Sequence, residues 1–358
     1  MSHPIDLFRQ SHRPEMSPIR VMLVDDSKVV LSVFSRILQS DDRIEIVSQV
    51  HSIADALAFL STEKVDVILL DIQMPDRTGL DALPDILIAS DGAKVMIVSS
   101  FAERDGPAAI KALELGACDA LAKPGRTGYR GQFADVLRDR VVNLGRRSSK
   151  TEHIVKHVYS KDEAVSIATP RCIAIGASTG GLPAIYTLIG QLAPEIQCPI
   201  FITQHLPEAF MTFFAKQLAA ATKRKVVVPN CGDPVENNMV YVAPGNADLG
   251  LERRGDGTYI KLLARRPENI YCPSVDVMFE NIAHHFRNDA LAFICSGMGN
   301  DGLRGARELS KVAATIVAQD LDSSVVWGMP GSVVKDGTAS YILDPAQLVA
   351  AINNGAQQ

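Results

Sequence analysis

Ser178 stands in the stretch CIAIGASTGG (residues 172–181), between an apolar run and a helical pattern that opens at Leu182 with Pro183 in its first turn. The turn Gly176-Ala177-Ser178-Thr179-Gly180 has the form G-x-S-x-G. In that form a sharp strand-to-helix turn lifts a serine hydroxyl above the sheet, and the helix start offers backbone N–H groups. A phosphate-cradling loop, or a helix simply capped by Ser178 or Thr179, fits the same residues. A serine nucleophile needs a base, and the next strand, PIFITQH, ends on His205 at the same sheet edge. The base in turn needs an acid that orients it and stabilises its imidazolium. ALAFICSGMGNDG brings Asp301 to that edge after another buried strand. Asp276, in PSVDVMF, is the rival. Asp301 is preferred because glycines on both sides let the backbone bring its carboxylate close. His284 and His285 fall in a helical pattern away from the edge, and His153 and His157 in a polar stretch between domains. A dinucleotide site would need G-x-G-x-x-G and an acid ending the following strand. Here the spacing differs and that strand ends Gln204-His205, which weakens the dinucleotide reading.

The N-terminal half carries a different set. Asp25 and Asp26 follow its first strand, Asp71 its third, Ser99 closes the fourth and Lys123 the fifth. In a parallel sheet those ends meet at one edge, the usual ligand edge. Clustered carboxylates repel unless a cation neutralises them, and an all-oxygen set with room for water suits Mg²⁺. A lysine and a serine hydroxyl beside them can hold a phosphoryl group.

The elements that must position both sets are alternating short apolar strands and amphipathic helices. IRVMLVDD, IEIVSQV, VDVILLD, KVMIVSS and DALAKP, with helices between them, give a (βα)₅ flavodoxin-like unit. CIAIG, PIFITQH, VYVAPG, ALAFICSG and TIVAQD begin a second, doubly wound and mostly parallel α/β series. GLERRGDGTYIKLL reads as a hairpin turning at Gly255-Asp256-Gly257. The expected division is an arm over 1–17, a first domain over 18–147, a polar linker over 148–168 and a second domain over 169–354. At 358 residues the chain is long for a single core. The net charge of −5 argues against nucleic-acid binding, which normally needs a basic face. The six cysteines show neither CxxC nor metal spacing, fitting reduced thiols in a cytoplasmic protein. No apolar run is long enough to insert in a membrane.

Residues 18–140 resemble a response-regulator receiver, through VMLVDDS, LLDIQMPDRTGLDAL, VMIVSSF and ALELGACDALAKP. The resemblance implies that Asp71 accepts a phosphoryl group from a histidine kinase of the chemotaxis type. It further implies that Asp26 and Asp71 ligate Mg²⁺ with help from Asp25 and the Gln73 carbonyl, and that Ser99 and Lys123 bind the acyl phosphate. Thr78 replaces an aspartate often found there, and Ala120 stands where many receivers carry an aromatic residue. Residues 169–354 resemble the catalytic domain of the chemotaxis protein-glutamate methylesterases, the CheB family, through IAIGASTGGLPAI, ITQHLP, VYVAPG, PSVDVMF, SGMGNDG and IVAQDLDSSVVWGMP. That resemblance implies Ser178 as nucleophile, His205 as general base and acid, Asp301 as orienter and the Met298 N–H in the oxyanion hole. It implies glutamyl methyl esters of chemoreceptors as substrates, with glutamine deamidation often alongside, and no cofactor for the ester chemistry. Cys295-Ser296 and Ala313-Ala314 depart from the family pattern. The rival functional readings are a phosphorylation-controlled adaptor, a divergent paralogue with a non-chemoreceptor substrate, and, weaker, a DNA-binding regulator. Domain order and the resemblance lead to the expectation that the unphosphorylated receiver packs over the Ser178 edge.

Overall fold

The computed structural model describes residues 17–75, 77–100, 106–124, 129, 131–145, 165–265 and 271–356. All but the last residue of the expected arm and most of the expected linker, with His153 and His157, lie outside them.

Two parallel sheets organise the chain. The first runs β2 (Ile44–Val50), β1 (Ile19–Val24), β3 (Val67–Leu70), β4 (Lys94–Ser100), β5 (Asp119–Lys123), with every pairing parallel. Val67, Ile68, Leu69 and Leu70 are all buried, as a strand covered on both faces requires. The covering helices are α1 (Lys28–Leu38), α2 (Ile53–Leu60), α3 (Gly79–Ala89), α4 (Gly106–Glu114) and α5 (Gln132–Gly145). Ser27, Ser52 and Thr78 cap the first three, each accepting a backbone N–H. Thr78 also donates its hydroxyl to Asp81 at 2.6 Å, so the departure from the receiver pattern at this position is a working helix cap.

The second sheet is fully parallel, ordered β14 (Tyr341–Leu343), β13 (Thr315–Gln319), β12 (Ala290–Ile294), β6 (Cys172–Ala177), β7 (Ile200–Gln204), β9 (Met239–Val242), β8 (Lys225–Val227). The three-residue edge strands β8 and β14 were not among the five expected; they are short and half-exposed, with no long apolar run to mark them. The antiparallel component is a separate hairpin, β10 (Asp248–Arg254) with β11 (Gly257–Leu263). Arg254 pairs with Gly257, so the turn is the two residues Gly255-Asp256 and Gly257 opens the second strand. Around the sheet lie α6 (Leu182–Gln191), α7 (Glu208–Ala220), α8 (Val275–Phe286), α9 (Leu303–Lys311), α10 (Met329–Asp336) and α11 (Pro345–Gly355). Ile167 is buried and donates its N–H to Ala351 of α11 at 3.1 Å, so the chain is already packed before β6 begins.

The two units share buried apolar clusters. Leu113 and Ala117, at the end of α4, belong to one cluster with Leu182, Leu206 and Phe210. Met298, with Val325 and Val326 against it, belongs to the cluster of Leu121, Leu137 and Val141. Gly106, which opens α4, lies so near Phe213 of α7 that a Cβ there would come within 2.5 Å of the ring. No helix among the described residues is long and apolar enough to cross a membrane.

Candidate active site

Strand register sets the site. Ala177 pairs with Gln204, and His205 donates its N–H to Ala177 O at 3.0 Å, so Ser178 and His205 leave neighbouring strands side by side. Gly176 pairs with Ile294 on the other flank, and Ser178 donates its N–H to Ser296 O at 3.1 Å. The loop after β12 then delivers Asp301. The third parallel neighbour therefore meets the first two at one carboxyl-terminal edge, as the topology requires.

His205 Nε2 lies 2.8 Å from Asp301 Oδ2, and both side chains are buried, at 7% and 5% exposure. An ionised carboxylate only accepts, so Nε2 carries the proton and Nδ1 is left as the basic nitrogen. Nδ1 is buried and has no hydrogen-bond partner among the protein atoms. Asp301 accepts at Oδ2 from Val275 N (2.8 Å) as well, and at Oδ1 from Ser274 Oγ (3.0 Å), Asp276 N (3.0 Å) and Gly302 N (3.1 Å). Burial alone would raise its pKa, but the bond and charge of His205 and the amides of α8 outweigh that and hold the carboxyl below its ordinary value.

Asp276, the rival acid, points elsewhere. Its Oδ1 accepts from Gly302 N (3.0 Å) and Gly305 N (2.8 Å) at the start of α9. Burial, helped by the charge of Asp301, lifts it to about 6 against the pull of the Gly305 amide and Arg304. His284 and His285 occupy the last turn of α8, nine and ten positions from the end that meets Asp301, or about 14 Å along the helix axis.

The Ser178 turn does not cap the helix with a side chain. Gly181 is the N-cap of α6 and receives no side-chain bond, whereas Thr179 donates its hydroxyl to Asp119 Oδ2 of β5 at 2.7 Å. Gly180 (φ 75°) donates its N–H to Cys118 O at 2.8 Å. These two bonds dock the loop after α4 and the start of β5 onto the turn that carries Ser178, which is 8% exposed. The expectation of a receiver packed over this edge is met in these contacts.

Met298 is buried and follows Gly297, where a Cβ would stand 2.8 Å from Ser178 Cβ. Its backbone therefore runs directly beside Ser178. Four supporting residues had escaped the sequence reading. Gln204 donates to Ser178 O at 3.0 Å. Ser274 both caps α8 and binds Asp301. Ser296 Oγ donates to Thr179 O at 2.8 Å and accepts from Val326 N at 3.0 Å, tying the Ser178 turn to the neighbouring loop. Tyr271 covers the His205 ring. Ser274, a serine just before VDVMF, could have been read as a cap; the other three have no local signature.

In the first unit Lys123 Nζ lies 2.7 Å from both Asp25 Oδ2 and Asp71 Oδ2, all three side chains being buried. Burial raises the Asp71 pKa, with Lys123 opposing and Asp25 adding to the rise. For Lys123 burial works downward, but the charges of Asp71 and Asp25 prevail and its pKa is raised. Carboxylate oxygens of Asp25, Asp26 and Asp71 come within 4.8 Å of one another. Asp71 Oδ1 and Ser99 Oγ, both buried, have no hydrogen-bond partner among the protein atoms. Clustered acids with an unsatisfied oxygen fit a small divalent cation of Mg²⁺ type. Asp26 and Gln73 are both exposed, and the Gln73 backbone is hydrogen-bonded to Asp71.

A flavodoxin-like unit with an acid pocket and a buried lysine, docked on a doubly wound domain with serine, histidine and aspartate at one edge, defines a receiver joined to a hydrolase-type α/β domain. Residues 21–128 match the response regulator receiver domain and residues 173–352 match CheB methylesterase. A protein-glutamate methylesterase/protein-glutamine glutaminase 2 of Caulobacter vibrioides is 35% identical over 338 residues, covering 92% of this chain and 96% of that one. A protein-glutamate methylesterase/protein-glutamine glutaminase 1 of Rhodospirillum rubrum is 32% identical over 371 residues, covering 95% and 96%. The crystal structure of the Thermotoga maritima CheB methylesterase catalytic domain matches 52% of this chain and 98% of that one, at 30% identity and a TM-score of 0.50. The chain belongs to the CheB methylesterase family.

Proposed function

We propose that this chain is a cytoplasmic, phosphorylation-controlled serine esterase that removes methyl groups from glutamate methyl esters on chemoreceptors, and that it deamidates receptor glutamines at the same site. The observation that carries the reading is the buried His205–Asp301 pair beside Ser178, lying directly beneath the receiver's α4–β5 junction.

In this mechanism His205 Nδ1 takes the Ser178 proton as Oγ attacks the ester carbonyl. Asp301 holds Nε2–H and stabilises the imidazolium. The Met298 N–H receives the oxyanion, a single such donor being worth about 3 kcal/mol. The imidazolium then protonates the departing methoxide to methanol. Water, deprotonated by His205, cleaves the acyl-serine to glutamate and regenerates Ser178. For a glutamine the leaving group is ammonia and the other steps are the same.

Control falls to the receiver. Asp25, Asp26, Asp71 and the Gln73 carbonyl would hold Mg²⁺, which supplies charge neutralisation for the incoming phosphoryl group. Asp71 is the acceptor, from a histidine kinase, and Ser99 and Lys123 bind the phosphoryl oxygens. The receiver contacts at Thr179 and Gly180 close the site until phosphorylation shifts the population to an open form.

Methanol release from methylated receptor fragments, measured with and without a small phosphodonor and Mg²⁺, tests the reading. Release that is lost in Ser178→Ala, and stimulation that is lost in Asp71→Asn, are the expected results. No release from wild-type protein whose Asp71 is phosphorylated would overturn it.

A further inference from the structure

His205 is gripped on its face as well as its edge. The Tyr271 ring lies on the imidazole with centroids 4.4 Å apart and planes 6° from parallel. Tyr271 stands three residues before Ser274, so one turn supplies both the aromatic cover and the donors that fix Asp301. The other end of the phenol is enclosed too. Gly299 (φ 75°) approaches so closely that a Cβ there would lie 2.8 Å from the Tyr271 hydroxyl oxygen.

We propose that Tyr271 is a positioning residue for the ester reaction: its ring holds the His205 imidazole with Nε2 on Asp301, and its π face stabilises the imidazolium formed when Nδ1 takes a proton. Two neutral rings gain little from near-parallel stacking, because their quadrupoles repel unless offset. A cation over the same face is attracted, most strongly where water is excluded. The arrangement therefore favours the protonated histidine, the state that appears with the tetrahedral intermediate. It also blocks the ring flip that would take Nε2 off Asp301.

The charged and titratable groups around this stack come from four elements. Asp301 faces Nε2 from the loop after β12, and Asp276 of α8 stands behind it with Arg304 of α9. Arg140 and Asp139 of α5, in the receiver, act on the Tyr271 hydroxyl. Burial first, and then the charge of Asp301, raise the pKa of that hydroxyl, so the phenol stays neutral.

The inference rests on His205 being the base, and the test separates the two claims. In the full chain, phosphorylated to a measured level at each pH, methanol release from methylated receptor fragments is followed from pH 5 to 9. Tyr271→Phe keeps the π face and is expected to leave kcat within about twofold and the acid limb of kcat/KM in place. Tyr271→Leu is expected to lower kcat about tenfold with little change in KM, and to move the acid limb down by about one pH unit. Tyr271→Met serves as a second non-aromatic replacement if the leucine variant does not fold. A uniform loss with the limb unmoved, or a phenylalanine variant as impaired as leucine, overturns the role of Tyr271 alone. Full activity in His205→Gln overturns the assignment of the base and this inference with it.

Discussion

Asp301 and Asp276 each serve the start of the other's helix: Asp301 accepts from Val275 N and Asp276 N of α8, and Asp276 accepts from Gly302 N and Gly305 N at α9. The exchange locks the two helix starts together, and the His205 bond is a fifth interaction on a carboxylate already held by four others. Only Asp301 reaches His205. Asp301→Asn is therefore expected to lower kcat by about 10³- to 10⁴-fold, the effect of losing a triad acid, while Asp276→Asn keeps activity within about tenfold. Methanol release from both variants checks this, and equal losses would remove the distinction.

The same pair carries a pH signature. Asp276 is lifted to about 6 from an ordinary value of 3.8, so the folded state favours its protonated form. Stability from this group is fully present below about pH 4 and is lost as pH rises through about 6. Asp276→Asn keeps an acceptor for the Gly302 and Gly305 amides but cannot ionise. Its Tm relative to wild type should climb between pH 4 and 7, read by thermal unfolding across that range. A constant difference would show that Asp276 does not titrate there.

Much of this was legible because strand ends in parallel sheets share an edge. Ser178, His205 and Asp301 each follow a buried apolar run, and the order β12-β6-β7 puts those runs side by side. The receiver acids and Lys123 were readable for the same reason. The wider setting was not. Thr179 looked like a cap and instead crosses to Asp119, a partner 60 positions away that no local pattern announces. Tyr271 and Ser296 act through loop conformation, which strand periodicity does not encode. β8 and β14 lack the double-sided burial that makes a strand visible as an apolar run.

One departure from the family pattern has a conformational cost. Ala313 adopts φ 57°, in the left-handed region where a Cβ crowds the backbone. Glycine, which the resemblance places there, is free of that strain. Ala313→Gly is expected to raise stability by about 0.5–1 kcal/mol, the strain relieved exceeding the added freedom of the unfolded chain. Urea unfolding measures this. A lower midpoint in the glycine variant would mean that Ala313 is unstrained.

Gly297 tests how tightly Ser178 is packed. A Cβ there would come within 2.3 Å of Met329 Sδ and 2.8 Å of Ser178 Cβ. The thioether can shift, but the serine is fixed by the Ser178 N–H bond to Ser296 O and the Gln204 bond to its carbonyl. Gly297→Ala should cost about 1–3 kcal/mol of stability and displace Ser178 enough to lower kcat by about 10²-fold. Unaltered kcat in a folded variant would show that the turn is more compliant than its bonds imply.

Asp119 and Lys123 are the two ends of β5, and each holds one end of the path from Asp71, the proposed phosphoacceptor, to Ser178, the proposed nucleophile. Lys123 binds Asp25 and Asp71; Asp119, bound by Arg140 at 2.8 Å, takes the hydroxyl of the residue next to Ser178. The strand between them spans only about 13 Å. Ala120 offers no aromatic side chain to swing, so a shift of Lys123 toward a phosphorylated Asp71 has the β5 backbone itself as its shortest route to the Thr179 bond. A hydrogen bond to a charged group contributes about 1.5–3 kcal/mol, and 1.4 kcal/mol is tenfold in an equilibrium. Thr179→Val, close in shape, should therefore raise esterase activity of the unphosphorylated chain by about tenfold or more. The phosphorylated rate, where the proposed opening has already released the bond, should barely change. Asp119→Asn, which removes the charge from the same bond, should act in the same direction. Methanol release without phosphodonor reads both variants. If the unphosphorylated rate stays at the wild-type level in each, the receiver is held by its apolar contacts and this bond is not the latch.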